Sequence, residues 1–346
     1  MSALNSQSYV AWLTINRSCN LRCEWCYAQG INFPKNDMSM DIANKAINIF
    51  KSLPMKTVFL IGGEPTLHPN FFEIVRLISS AGLTPNLITN SIAFRDKKFL
   101  EKSLEAGILG INTSLKGVNI EQYKKNTGRD SFSDVIMAMR NIENIRSTTS
   151  LYHRVSITMS RDFFDNINEL IMVMKNCGIG EFSIDTERPI FVNNLPQPVR
   201  DMTPKDTVDF LLAVHPILKK SGIKFSIKIS LPFCLFPSDF IGELRERGEL
   251  LSGCQLISGS GLIIDSNGNL LPCNHFCENK LGSIDIDFST GEEYLKFRNR
   301  QDVFEFYRAI GSCPNQKCQG CEEWSACGGG CRLHWFCGGA DSLMSQ

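Results

Sequence analysis

Apolar runs and amphipathic stretches alternate along the chain almost from its start. Strand-like runs fall at residues 10–15, 57–61, 84–89, 109–115, 155–159, 181–185 and 224–229. Between them, apolar positions recur at helical spacing over residues 40–52, 70–81, 97–106, 132–146, 165–177 and 204–221. Such alternation predicts an α/β fold built from βαβ units around a parallel sheet. Six repeats suffice for a partial barrel, open on one side, with its working surface at the C-terminal ends of the strands. A doubly wound sheet has the same periodicity, and the pattern alone does not separate the two. Residues 186–202, rich in Pro and Asn, predict a loop over the strand ends. Within it Arg188, Asn193 and Asn194 are either solvated or in contact with a substrate. From Cys254 onward the composition shifts toward Gly, Cys and short strands at residues 261–265 and 270–272.

Bulk composition narrows the function classes. A chain of 346 residues can bury one large domain and a smaller one. Its 36 basic and 36 acidic residues give zero formal charge, so nothing electrostatic favours nucleic acid or an anionic membrane surface. No apolar run has the length of a membrane span. Residues 1–8 are polar and short, lack a basic region followed by an apolar one, and are expected to be flexible. A cytoplasmic protein is the natural expectation. The 14 cysteines then point to metal binding rather than to disulfides. Twelve of them fall between Cys19 and Cys26 or between Cys254 and Cys337, which supports that choice.

Directly after the first apolar run stands Cys19-Asn20-Leu21-Arg22-Cys23-Glu24-Trp25-Cys26, a Cys-x3-Cys-x2-Cys loop. Three thiolates so spaced can hold three irons of a [4Fe–4S] cube and leave the fourth iron open. A small molecule carrying an amine and a carboxylate could chelate that iron. A zinc knuckle or a disulfide loop is the alternative. The second strand-like run ends in Ile61-Gly62-Gly63-Glu64-Pro65, where two glycines let the backbone approach a ligand. Glu64 beside them can accept hydrogen bonds from an ammonium group.

These two motifs together resemble the signatures of the radical S-adenosylmethionine (radical SAM) enzymes, including an aromatic residue, Trp25, before the third Cys. The resemblance implies the partial (β/α)6 TIM-like barrel rather than the doubly wound sheet. It implies that Cys19, Cys23 and Cys26 hold the first cluster, with Trp25, Gly62, Gly63, Glu64 and Pro65 around the cofactor. Thr89-Asn90-Ser91 looks like the family's third-strand motif, and Ser114-Leu115-Lys116-Gly117 like its Ser-Leu-Asp-Gly. Asn90 and Ser114 are therefore cofactor candidates, although each also reads as an ordinary strand-end turn. Lys116 stands where the family has Asp, and Thr127 where many relatives have a basic residue. Cys234, just past the last strand, is a candidate hydrogen donor at the radical site or a buried small residue.

The C-terminal cysteines follow Cys254-x13-Gly268-x4-Cys273, then Cys318-x2-Cys321-x5-Cys327-x3-Cys331, then Cys337. Paired zinc sites are one reading. The spacing also resembles the SPASM extension of one radical SAM branch. Carried over, Cys254, Cys273 and Cys331 hold one auxiliary cluster, with Cys277 or Cys313 as a possible extra ligand. Cys318, Cys321, Cys327 and Cys337 hold the other. The implied division is 9–235 for the barrel and 236–346 for a small Cys-rich SPASM domain.

The implied cofactors are S-adenosylmethionine and three [4Fe–4S] clusters. The implied chemistry is reductive cleavage of S-adenosylmethionine, abstraction of a substrate hydrogen atom, and net oxidation, crosslinking or epimerisation. Expected partners are a peptide or protein side chain as substrate and an electron donor such as flavodoxin or ferredoxin. Strand 1 begins by about Tyr9, which leaves no room for the N-terminal recognition domain of many peptide modifiers. A separate peptide-recognition protein is expected in its place. The alternatives are a small-molecule dehydrogenase or epimerase acting on a sugar or tetrapyrrole, and a non-catalytic electron carrier.

Overall fold

The computed structural model describes residues 9–337, apart from 194, 200, 201 and 278. The expected flexible terminus, 1–8, lies outside the described residues, as does Asn194. Strand β1 (Val10–Thr14) leads through the cysteine loop to helix α1 (Met40–Lys51). Then come β2 (Thr57–Ile61) with α2 (Phe71–Ser80), and β3 (Thr84–Thr89) with α3 (Lys97–Ala106). Strand β4 (Gly110–Leu115) is followed by α4 (Ile120–Thr127) and α5 (Phe132–Arg146). Strand β5 (Tyr152–Met159) precedes α6 (Arg161–Asp165) and α7 (Ile167–Asn176). After β6 (Glu181–Thr186) comes a hairpin, β7 (Ile190–Val192) and β8 (Leu195–Gln197), and then α8 (Pro204–Ser221). Strand β9 (Lys224–Lys228), α9 (Ser238–Glu246) and β10 (Leu250–Leu251) follow.

The Cys-rich remainder holds α10 (Gln255–Ser258), β11 (Gly261–Ile264), β12 (Asn269–Leu271) and β13 (Gly282–Ser283). Helices α11 (Gly291–Arg298), α12 (Gln301–Gly311) and α13 (Trp324–Cys327) complete it. No helix among the described residues is long and apolar enough to cross a membrane.

Strands β1 to β6 lie side by side in chain order, all parallel, and β9 and β10 extend the sheet beyond β6. A doubly wound sheet would reverse its order at a switch point, and no reversal occurs here. Beyond β1 the sheet continues into β11, parallel and in register from Val10 opposite Gly261 to Leu13 opposite Ile264. Antiparallel β12 and β13 finish that edge. The sheet does not close, so the chain is an α/β partial barrel with a parallel sheet and a Cys-rich C-terminal segment joined to its β1 edge.

Local chemistry explains most boundaries. Ser39 accepts a hydrogen bond from the Ile42 amide and starts α1, and Asp96 does the same for α3 through the Lys98 amide. Thr203 and Asp206 form a reciprocal capping box at α8. Helix α4 escapes the apolar-periodicity test because it is mostly polar, and Asn119 caps it through the Gln122 amide. The stretch over the barrel mouth is also not wholly irregular, since β7 and β8 pair across it.

Period-two alternation sorts the strand residues between two environments. In β5 the pattern switches regularly between buried and half-buried. Val155, Ile157 and Met159 pack under the helices, while alternate residues face the barrel interior. Leu13, Val58, Leu60 and Leu87 join α1 and α2 residues Ile47, Phe50, Ile74 and Ile78 in a second large core. A small satellite core of Phe191, Leu256, Phe276 and Leu333 lies under the Cys-rich segment.

Candidate active site at the barrel mouth

A pocket of about 260 Å³ opens at the C-terminal ends of the strands. It is lined by Cys19, Cys23, Trp25 and Cys26 from the loop after β1, and by Gly62, Gly63 and Glu64 after β2. Asn90 after β3, Ser114 on β4 and Thr158 on β5 complete the strand-end wall. Chain-order topology produces this convergence: six parallel strands end on one side, so motifs far apart in sequence share one rim.

Backbone bonds hold the cysteine loop against that rim. Gly63 N–H donates to the Asn16 carbonyl at 3.1 Å and Glu64 N–H to the Ser18 carbonyl at 2.8 Å. A methyl group on Gly62 would strike Asn16, and one on Gly63 the carbonyls of Arg17 and Ser18. The glycines thus admit the chain leaving β1, a closer neighbour than any ligand. On its other side the loop pairs with the end of α4: Arg22 N–H donates to the Thr127 carbonyl at 2.9 Å and Glu24 N–H to the Asn126 carbonyl at 3.1 Å. Thr127, buried and outside the pocket lining, supports the loop.

Glu64 is buried and heavily bonded. Its Oε1 accepts from the Thr66 amide at 3.2 Å, the Thr66 hydroxyl at 2.7 Å and the Thr89 hydroxyl at 2.6 Å. Oε2 accepts from the Asn90 amide alone, at 2.8 Å. Burial pushes the carboxyl up from its ordinary value, and these bonds pull it back. The carboxylate therefore ties β2 to β3, and Oε2 keeps capacity for one further donor. Pro65 lies buried in the turn behind Glu64 and does not line the pocket. Asn90 donates from Nδ2 to Asn20 Oδ1 at 2.8 Å, linking β3 to the cysteine loop. Ser114 Oγ accepts from Lys116 Nζ at 2.5 Å.

The thiols are strongly perturbed. Burial, then the Glu64 carboxylate, pushes Cys19 up to about 12, and burial, then Cys23, pushes Cys26 up to about 11. Burial also raises Cys23, against the opposing charge of Lys116. Thiols so placed ionise only when a bound cation offsets the burial. No disulfide joins any of the described cysteines. Lys116, whose ammonium lies 5.6 Å from the Trp25 ring centroid, brings a positive charge to this site.

Three lining residues had no sequence signal of their own: Trp12, Asn274 and His275. Trp12 was hidden as an apolar strand residue, although its parity opposite Leu13 marks it as facing the interior. Its Nε1 donates to Gln255 Oε1 at 2.7 Å, fastening β1 to the residue after Cys254. Arg188 also lines the pocket and is not a solvated loop residue. Trp25 Nε1, Asn274 Oδ1 and His275 Nδ1 are buried without hydrogen-bond partners. Three orphaned polar atoms around one cavity fit a polar ligand. Burial, then Arg188, holds His275 down at about 3, so it stays neutral.

The other cysteines sort into two groups. Cys254, Cys273 and Cys331 pack against the same satellite core. Burial, then Cys331 and Cys254, pushes Cys273 up to about 12. Cys318, Cys321 and Cys327 line a second cavity of about 210 Å³. Cys234 lines that second cavity and not the mouth pocket, which removes the geometric case for it as a hydrogen donor at the mouth. The reason is that β9 ends at Lys228, and the chain then passes over the rim before the turn Phe233–Leu235. Cys337 does not line that cavity; the thiol acting on it is Cys331. Cys277 stands at 3.5 Å from the Tyr27 carbonyl, and Cys313 acts on Cys318. Among the described residues no three His, Cys, Asp or Glu side chains gather to hold a single metal ion.

Parallel strands in chain order, with a cysteine-lined pocket at their C-terminal ends, define an α/β partial barrel with its candidate site at the mouth. Residues 13–159 match the model of the Radical SAM superfamily, and the chain carries a radical SAM domain. It is 24% identical over 280 residues to a probable GTP 3′,8-cyclase of Saccharolobus islandicus, covering 79% of this chain and 85% of the relative. Among solved structures, native anSMEcpe with bound AdoMet and the Kp18Cys peptide superposes with a TM-score of 0.72 at 18% identity. That match covers 96% of this chain and 92% of the other. Streptococcus suis SuiB bound to the precursor peptide SuiA gives 0.69 at 16% identity, over 95% and 73% of the two chains. At these identities the likeness is one of fold.

Proposed function

We propose that this chain is a radical SAM/SPASM oxidoreductase that acts on a peptide or protein side chain. The observation that carries the reading is the mouth pocket, which holds Cys19, Cys23 and Cys26, the Gly62-Gly63-Glu64 run, and orphaned polar atoms in one cavity. When bound, the cluster would supply the electron that cleaves S-adenosylmethionine into methionine and a 5′-deoxyadenosyl radical able to take a hydrogen atom from the substrate.

The chain's residues do the rest. Cys19, Cys23 and Cys26 would hold the cluster through three of its irons, the fourth being available to the cofactor. Glu64 Oε2 accepts from the amine, with Trp25, Gly62, Gly63, Asn90 and Ser114 shaping the cofactor's surroundings and Pro65 packing behind Glu64. Lys116 offsets thiolate charge in place of the family's Asp, and Arg188 and His275 face the substrate side. Residues 9–235 form the radical domain, and 236–346 would hold two auxiliary clusters, which would supply a place for the electron left on the substrate. An outside donor such as flavodoxin or ferredoxin supplies the first electron, which fits a chain of the reducing cytoplasm.

The whole-chain likeness to two peptide-bound structures supports the peptide reading. The relatives named as GTP 3′,8-cyclases favour a second reading, a small nucleotide substrate. Anaerobic reconstitution with S-adenosylmethionine and dithionite is expected to yield 5′-deoxyadenosine and methionine in equal amounts. Absence of both overturns the radical reading. Adding GTP is expected to leave GTP unconsumed; its conversion overturns the peptide reading alone.

A further inference from the structure

We propose that Cys234, from the barrel side of the molecule, is the fourth thiolate of the second auxiliary cluster, completing a set with Cys318, Cys321 and Cys327. This rests on the reading of two auxiliary clusters above. The resemblance to the SPASM extension gives that place to Cys337, and the cavity and its contacts give it to Cys234 instead.

Cys234 and the three other cysteines line the same cavity, with Phe233, Phe236, Ile241 and Trp324 as its apolar wall. A cube with all four irons held by thiolates takes one at each iron corner, so its ligands surround a volume and do not meet at one atom. The segment bearing Cys234 is also fastened to the cysteine turn on both sides. Phe233 N–H donates to Cys327 Sγ at 3.3 Å, and Cys331 N–H donates to the Ser230 carbonyl at 2.7 Å. An N–H to sulfur bond of this kind is one means by which proteins tune cluster thiolates. Gly330 has φ +72°, and a methyl there would lie 2.6 Å from the Ser230 carbonyl oxygen. Only glycine lets the turn and residues 230–232 approach so closely.

Cys337 does not line that cavity. Residues 332–337 are helical, and Trp335 Nε1 donates to the Gly329 carbonyl at 2.7 Å, pinning the helix to the turn.

The test uses the reconstituted full chain. Cys234 is exposed, so without iron it should react readily with iodoacetamide. In the holoprotein its alkylation, read by peptide mass mapping, is expected to slow at least tenfold and to recover on chelation of the iron. Equal rates with and without iron overturn the assignment, and no variant that could misfold is involved. As a second measurement, Cys234→Ala is expected to lose up to about four irons, or to leave a three-iron signal by electron paramagnetic resonance. Cys234→Ala/Cys318→Ala should lose no more iron than Cys318→Ala alone, and additive losses overturn the shared site. A wild-type chain holding only about four irons, yet cleaving S-adenosylmethionine, would sink the auxiliary-cluster reading itself. About twelve irons with Cys234 freely alkylated would sink only this assignment.

Discussion

Glu64 offers the sharpest test of how the rim is built. Its carboxylate takes four hydrogen bonds, two from backbone amides that have no alternative acceptor in the turn: Thr66 N–H on Oε1 and Asn90 N–H on Oε2. The Thr66 and Thr89 hydroxyls can rotate, so their loss costs less. In Glu64→Ala each stranded amide should cost about 1–3 kcal/mol, so about 2–6 kcal/mol together. That is a large share of a domain's usual stability of about 5–15 kcal/mol. Glu64→Gln differs in a specific way. Its amide oxygen can take the place of Oε1 and keep three donors, but its NH2 group then faces the Asn90 amide. One stranded donor remains, at about 1–3 kcal/mol. Hydrogen exchange on the holoprotein reads this residue by residue. In the Ala variant both amides should exchange about 5- to 150-fold faster. In the Gln variant Asn90 alone should accelerate while Thr66 stays protected. Equal acceleration of both amides in the Gln variant, or none in the Ala variant, would refute the reasoning.

Gly63→Ala places a methyl against the Arg17 and Ser18 carbonyls; overpacking at about 1–3 kcal/mol should displace the cysteine loop and cut 5′-deoxyadenosine formation at least tenfold. A wild-type rate would show that the loop does not depend on this contact. Replacing Cys19, Cys23 and Cys26 together by Ala should remove about four irons and leave about eight, measured by iron and sulfide assay. Loss of every cluster would contradict separately held sets. Burial, then Arg188, holds His334 down from 6.5 to about 4. A folded value below the unfolded one means that its stability contribution is complete above pH 6.5 and is lost as pH falls toward 4, at about 3 kcal/mol in all. Urea unfolding between those limits should be flatter for His334→Gln than for the wild type, and parallel profiles would reject the assignment.

Much of this architecture was legible because local and global signals agree. Helices α3, α5 and α8 begin and end where caps and periodicity put them, and β2 and β3 are bounded by the residues that the alternation marks. The mouth pocket was legible as well, since parallel strands must deliver Cys26, Glu64, Asn90 and Ser114 to one rim. What escaped notice depends on long-range packing. Lys116 read only as a departure from a motif, yet in the fold it opposes the burial of two thiols. Nothing in the spacing of Asn274 and His275 shows that β12 and the turn after it swing them over β1.

Cys234 carries the same argument furthest. The three glycines between Cys327 and Cys331 all lie at positive φ, +56°, +76° and +72°, and make a sharp turn between the two thiols. That turn is also a docking surface, because Gly330 must admit the carbonyl of Ser230. A spacing pattern records the first role and is blind to the second, since the partner lies 100 residues upstream. With β11 added to β1, Trp12 bonded to Gln255 and Cys331 bonded to Ser230, the Cys-rich segment is built onto the barrel at several points. A thiol supplied from the barrel side would make cluster assembly there conditional on a folded barrel. Each cluster so held then reports on the joint that the hydrophobic pattern alone could not reveal.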